Sequence, residues 1–388
     1  RFIMSKINVR SFSNENEDGA PDLVGITTFS ATSYFVPTRG TTEQRPSDHV
    51  EVGSLRYNYD IKNLEYYRGD TLGWSQFELI DPDLGGGTGS NTGVGTRAIF
   101  FGGYNAPSGR QNYINFLTIS TLGDTQDFGD LNDHTGRPAA TSSRTRAICC
   151  GGFQSPALSN ILQFVTIPSI GNATDFGDLT LARNQLGAFS SQIRGIAMGG
   201  NPETDTMDYH TIATTGNAVD FGNMTQSRQS PRGAASSTRG LSMGGEIPSA
   251  RSNVIDFVTI MSTGNATNFG DLNIKTRLAA SCSNSTRALY AGGETQDSNA
   301  LDTIEYITIA TTGAATDFGN LSSIKMEHAA ASDPTRGVFA GGNTTGPSVN
   351  LNVIDYVEIL TTGNALDFGD LHVTNTRSGS TSSGHGGL

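Results

Sequence analysis

Residues 172–179, NATDFGDL, place a carboxylate ahead of Phe-Gly. That arrangement presents an Asp to magnesium in phosphoryl-transfer enzymes. Such chemistry also needs a glycine-rich phosphate loop, a paired Lys and a catalytic Asp-to-Asn loop, and the sequence supplies none of them. GGGTGSNTGVG (85–95) has the glycines, but no Lys follows and no clear strand or helix frames it, so it reads as a flexible linker. Calcium is the other candidate, because DFGD offers two carboxylates. Ca²⁺ takes about six to eight oxygens converging on one point. Two carboxylates at alternate strand positions do not converge, and Asn replaces one of them at Asn223, Asn268 and Asn320. The histidines (His49, His134, His210, His328, His372, His385) show no ligand spacing. No nucleophile–base–acid set stands out. The expectation is a non-enzymatic chain with no catalytic residues, no metal and no cofactor.

The elements that carry the triplet explain it better. It recurs with Phe128, Phe176, Phe221, Phe269, Phe318 and Phe368, at spacings of 48, 45, 48, 49 and 50 residues. An apolar run ending in Gly-Gly recurs with it, from AIFFGG (98–103) to GVFAGG (337–342). Each run follows an Arg: Arg97, Arg146, Arg194, Arg239, Arg287 and Arg336. A Val/Ile/Tyr/Phe segment such as NVIDFVTI (253–260) is the third landmark. From the Arg to the Gly pair is always five residues, from the Ile closing the third landmark to the Phe nine, and from the Phe to the next Arg eighteen. Only the stretch between the Gly pair and the third landmark changes length. Each unit therefore reads as four strands: a small polar one, the apolar run, the aromatic segment and the triplet strand.

Four-stranded units of this length imply an all-β, six-bladed β-propeller. The order of landmarks resembles the kelch repeat over about three quarters of the chain, with Phe where kelch units carry Trp. The first unit lacks its first strand before Arg97, and RSGSTSSG (377–384) supplies it, so the ring is expected to close through the C-terminal strand. The triplet Phe side chains are then expected to fill the gaps between blades, each contributing roughly 1.5–3 kcal/mol. The following Gly allows a bend, and the repeated Arg pairs with the Asp groups or caps turn carbonyls. The first strand is expected to be innermost, where only Ala, Gly and Ser fit comfortably.

Composition bounds the partners. The formal charge of −12 with no Lys/Arg cluster argues against nucleic acid. No apolar run is long enough for a signal peptide or a membrane span, so no membrane insertion is expected. Cys149, Cys150 and Cys282 form no disulfide framework; adjacent strand residues point to opposite faces, so Cys149 and Cys150 read as inert packing.

Residues 1–84 lack the repeat, giving a domain division of 1–84, a linker at 85–95 and 96–388. SNENEDGAPDLVG (13–25) reads as extended. Residues 52–80 read as a small β-meander, with Tyr57, Tyr66 and Trp74 as its apolar face, too small to stand without support. Gly40-Thr41-Thr42, Arg45-Pro46, Gly53 to Asn58, Leu64-Glu65-Tyr66 and Trp74 resemble, in that order, a module of tailed-bacteriophage virion proteins. The opening SKINV and GAPD resemble cyanophage structural proteins. The resemblance covers about a fifth of the chain. It implies a virion protein, assembled in the host cytoplasm and attached to other virion proteins through residues 1–84, with a homo-oligomer expected.

The variable loops between second and third strands share one rim. They are either a recognition face for a host-surface glycan or receptor, or surface loops that drift without constraint. The candidate ligand-binding residues there are Tyr104, Asn105, Arg110, Phe153, Gln154, Asn201, Glu203, Glu246, Arg251, Glu294, Gln296 and Asn343. The expected function is a tail- or capsid-surface appendage. The alternatives are a decoration or spacer protein without ligand, and a polysaccharide-degrading tail-spike enzyme, which would need paired carboxylates across a groove.

Overall fold

In the computed structural model, residues 37–46, 50–61, 63–71, 73–76, 95–106 and 108–388 are described. The extended segment expected at 13–25, residues 77–80 of the meander and the glycine run 85–94 lie outside them. The described residues form strands and turns with no helix. The chain divides into two compact units, Arg1–Asp81 and Pro82–Leu388.

The first unit holds one four-stranded sheet, Thr38–Gly40, Leu55–Asn58, Asn63–Tyr67 and Trp74–Gln76. The first pair is parallel, the others antiparallel. Alternation along the two central strands buries Arg56, Asn58, Glu65 and Tyr67. Tyr57 and Tyr66 therefore share the opposite face with Leu55 and Leu64, which are 50% and 40% exposed. The apolar face expected from Tyr57, Tyr66 and Trp74 is corrected by this register: Tyr67 is the residue beside Trp74, with ring centroids 5.4 Å apart.

The second unit contains six four-stranded antiparallel sheets. Sheet 2 shows the plan: Ala139–Ser142, Arg146–Gln154, Ala157–Thr166 and Thr174–Asp178, hydrogen-bonded in that order. Sheets 3 to 6 follow at 187–228, 232–271, 280–320 and 329–370. Sheet 1 joins Arg97–Phe101, Tyr113–Thr118 and Gln126–Asp130 to Gly379–Ser382, which pairs with Arg97–Phe101. Each first strand packs beside the first strand of the next sheet, and Gly379–Ser382 contacts both Ala329–Ser332 and Ala139–Ser142.

The triplet is a β-bulge. Ile114 pairs with Gly129 and Asn115 with Asp127, which leaves Phe128 as the extra residue, and all six sheets repeat the shift. The bulge turns two successive side chains outward and then Phe inward, so each triplet Phe is 0–3% exposed while the Asp or Asn before it faces solvent. Phe176 packs against Ala197, Ile212 and Ala218 of sheet 3, and Phe368 against Ala98, Leu117 and Ile119 of sheet 1. The Gly is required twice over. Gly177 has φ 144°, and a Cβ there would lie 2.4 Å from the carbonyl oxygen of Gly216 in sheet 3. That closeness serves hydrogen bonds between sheets: Gly216 N donates to Phe176 O, and Ala218 N to Asp178 O. The last link of the series joins sheet 6 to sheet 1, Gly123 N to Phe368 O.

The repeated Arg forms a second link. Arg146 lies over Phe164 of its own sheet at 4.3 Å and donates to the carbonyls of Ile212 and Ala213 in sheet 3 at 3.0 and 3.1 Å. The other five repeat the ring contact and the bond to the equivalent Ile carbonyl, and Arg336 of sheet 6 reaches Ile119 and Ser120 of sheet 1 at 3.5 and 3.2 Å. These Arg residues cap carbonyls rather than pair with the triplet Asp. Their acceptor is the Ile whose distance to the Phe is constant, so one junction fixes both spacings.

The first strands need small residues for more than space. Neighbouring first strands cannot exchange a full backbone ladder, and Ser hydroxyls bridge them. Ser190 Oγ donates to Ser142 O, Ser332 Oγ to Ser283 O and Ser142 Oγ to Ser382 O, at 2.9, 2.7 and 2.7 Å. Phe189 and Arg232 are the large exceptions, and Phe189 is admitted because Gly240 has no Cβ; one there would overlap its ring. At the C-terminal ends of these strands, His385 Nε2 lies 3.1 Å from Ser190 Oγ and Gly386 N donates to Ser283 O. Cys149 and Cys150 point into different inter-sheet clusters and all three cysteines are free. Burial pushes the Cys150 and Cys282 thiols up to about 12.

Candidate functional site

The second-to-third loops and the turns preceding the first strands meet at one end of the sheets. The residue after each Gly pair bridges to one of these turns: Phe153 to Gly136, Asn201 to Asn184, Glu246 to Gln229, Glu294 to Arg277, Asn343 to Met326 and Tyr104 to Thr376. The residue that follows each bridged turn position has left-handed φ, between 53° and 63°: Arg137, Gln185, Ser230, Leu278, Glu327 and Arg377. Non-glycine residues rarely adopt this conformation, and such residues cluster at functional sites. Here the ordering force is visible. Arg137 N donates to Arg377 O, Gln185 N to Arg137 O, Ser230 N to Gln185 O, Glu327 N to Leu278 O and Arg377 N to Glu327 O. The sequence signal was available, since each lies nine residues beyond a triplet Phe.

Among the loop residues singled out in the sequence, Tyr104, Arg110 and Phe153 line a cavity of about 270 Å³, joined by Arg137, Asn184 and Arg377. Arg110 lies over Phe153 at 4.2 Å, and Arg377 over Tyr104 at 5.3 Å. Glu327 binds Arg137 and Arg377 at 2.7 Å each. Burial pushes Arg137 below the ordinary arginine pKa; Glu327 opposes this shift and Arg377 adds to it. Asn105 Oδ1 accepts from Thr374 at 3.2 Å, and Gln154 Nε2 donates to Thr135 Oγ1 at 3.1 Å.

Three of the other candidates, Glu246, Arg251 and Glu294, are engaged with one another. Arg251 and Arg277 each bind both Glu246 and Glu294. Gln296 Oε1 accepts from Arg251 N, and Asn343 is 7% exposed with its backbone tied to Met326. Of the residues expected to form a recognition surface, Glu246, Arg251 and Glu294 are thus held in one ion-pair set with Arg277 across sheets 4 and 5, Gln296 is exposed, and the buried Asn343 Oδ1 has no partner. Asn201 is exposed, while Glu203 is half-buried and its carboxyl is pushed up by burial and by the charge of Glu246.

A second polar set lies on the third strands at the bulge. Arg183–Asp208, Arg228–Asp256 and Lys325–Asp355 are fully buried ion pairs. In sheet 2 the same positions hold Thr135 and Gln163, both buried and uncharged. In the first unit, Glu65 is 0% exposed and accepts from Arg45 and Asn58, with Arg56 at 3.4 Å. Burial pushes its carboxyl up, but the bonds from Arg45 and Asn58 and the two Arg charges outweigh this and leave it below the ordinary glutamate value. Three sequence pieces separated along the chain, Arg45-Pro46, Arg56 to Asn58 and Leu64-Glu65, thus meet at one carboxylate. Among the described residues no three His, Cys, Asp or Glu side chains converge as metal ligands would.

Neither a protein-family model nor a curated protein sequence matches this chain.

Proposed function

We propose that the six sheets form a six-bladed, kelch-like β-propeller acting as a non-enzymatic recognition module, and that the chain is a bacteriophage virion component attached through its first unit. Support for the propeller is the closed series of links, in which Arg336 and Phe368 of sheet 6 engage sheet 1 as each sheet engages the next. Recognition rests on one observation, the cavity between Tyr104 and Phe153 at the loop-bearing end, with both rings covered by arginines. Aromatic and Arg side chains are the usual anchors of binding surfaces. Attachment is supported by the exposed Leu55, Ile61 and Leu64 of the first unit and by the ordered resemblance of residues 40–74 to phage virion proteins.

The labelled full chain applied to a printed panel of bacterial surface polysaccharides tests recognition. Retention without release of oligosaccharide is the expected result. Released oligosaccharide overturns the non-enzymatic reading, and a blank panel overturns recognition of glycans. Mass spectrometry of purified particles of the phage carrying the gene tests the virion assignment, which falls if the chain is missing from them.

A further inference from the structure

The cavity between sheets 1 and 2 narrows the class of ligand, and this inference rests on reading that end of the molecule as a recognition face. We infer that it binds a single sugar ring bearing a carboxylate, of the hexuronic acid type. Its volume of about 270 Å³ suits one ring and not an extended chain.

Charge comes next. In a protein of formal charge −12, Arg110, Arg137 and Arg377 line one small space. Glu327 engages Arg137 and Arg377, whereas the Arg110 guanidinium has no carboxylate partner among the described residues. Its place over the Phe153 ring, 4.2 Å from the centroid, holds Arg110 against the wall and leaves its N–H groups for an acceptor. A carboxylate meets such a fork with two parallel hydrogen bonds.

The hydroxyl requirement comes from a separate observation. Asn184 is 6% exposed, and its side-chain Oδ1 is buried without a donor. Its backbone N–H and C=O are both taken by Asn201, so the orphan is the side chain alone. Arg137 Nε is likewise buried without an acceptor. Both residues line the cavity, and a ligand that both donates and accepts supplies what these two buried atoms lack. A sugar hydroxyl gives its proton to Asn184 Oδ1, and a ring or carboxylate oxygen accepts from Arg137 Nε. A plain carboxylate leaves Asn184 unsatisfied, and a neutral sugar leaves Arg110 unpaired. The remaining sheets offer no second copy: the positions of Tyr104 and Phe153 are Asn201, Glu246, Glu294 and Asn343 there.

Calorimetric titration of the full chain with D-galacturonate, D-glucuronate, D-galactose and acetate tests this. At least one uronate should bind about tenfold or more tighter than galactose and acetate. Arg110→Ala and Asn184→Ala should each weaken that uronate about fivefold or more, with the melting temperature unchanged or, for Asn184→Ala, raised. Uronates that bind no tighter than galactose or acetate overturn the inference, as does uronate binding indifferent to both substitutions. If uronate preference is missing while the polysaccharide panel is still bound, the cavity assignment falls and the recognition reading stands.

Discussion

Replacing Asp208 by Asn strands the Arg183 charge inside sheet 3. The two side chains are 0% exposed and their closest N···O distance is 2.8 Å. Burial already pushes the Arg183 guanidinium below its ordinary pKa, with Asp208 opposing that shift. Asn keeps an acceptor for Thr180 but removes the counter-charge. Breaking a buried pair in this way costs about 3–5 kcal/mol. At about 2.1 cal/mol/K per residue over roughly 300 residues, the unfolding entropy is about 0.6 kcal/mol/K. The melting temperature should therefore fall by about 5–8 °C. The double variant Arg183→Thr/Asp208→Gln copies the uncharged pair that sheet 2 already carries at these positions, where Gln163 Oε1 accepts from Asn132 N at 2.9 Å. It removes both desolvated charges together, so it should melt within about 2 °C of the parent. Far-ultraviolet circular dichroism at pH 7 reads all three proteins. A single variant within about 1 °C of the parent, or a double variant no better than the single, refutes the reasoning.

Three further outcomes are expected. His210 is 2% exposed and held down to about 4 by burial, so its stabilising neutrality is complete above the ordinary value of 6.5 and is lost as pH falls toward 4. This amounts to about 2 kcal/mol less stability at pH 5 than at pH 7. His210→Val, which installs the residue found at Val165, Val258 and Val357, should shrink the melting difference between those pH values by about 3 °C; an unchanged difference counts against it. Arg146→Ala removes a ring contact and two carbonyl caps, and should cost about 1–3 kcal/mol in urea unfolding. Arg146→Lys should restore only part of that, and full restoration would show that charge alone matters. Trp74 is the sole Trp, so its fluorescence reports the first unit. Glu65→Gln should lower the urea midpoint of that signal at pH 7, and the parent's advantage should vanish as pH drops through the lowered Glu65 pKa. A midpoint insensitive to the substitution at pH 7 contradicts the role given to Glu65.

The candidate site was only partly legible. Tyr104, Arg110 and Phe153 stand out as aromatic and cationic residues in variable polar loops, and the fold brings them to one cavity. Arg137, Asn184 and Arg377 were not singled out because their cavity neighbours come from other sheets, although Arg137 and Arg377 stand at the constant position nine residues beyond a triplet Phe. The loop charges show the same limit. Glu246 and Glu294 look like free loop charges in sequence, yet Arg277 arrives from a turn before sheet 5 and, together with Arg251, neutralises them.

The sequence by itself determined the unit, its four strands and the constant spacings, because a strand pairing, a bulge and a Gly-Gly turn are local and leave a mark in every copy. It also placed Gly379–Ser382 beside Arg97–Phe101, since a missing strand can be counted. Tertiary structure alone decided what each landmark does. The Arg reaches the next sheet's Ile carbonyl, the Ser bridges the first strands of neighbouring sheets, and the Gly of the triplet makes room for a neighbour's backbone. Those partners lie roughly one unit away in the chain, and a buried donor or acceptor takes whichever partner packing delivers.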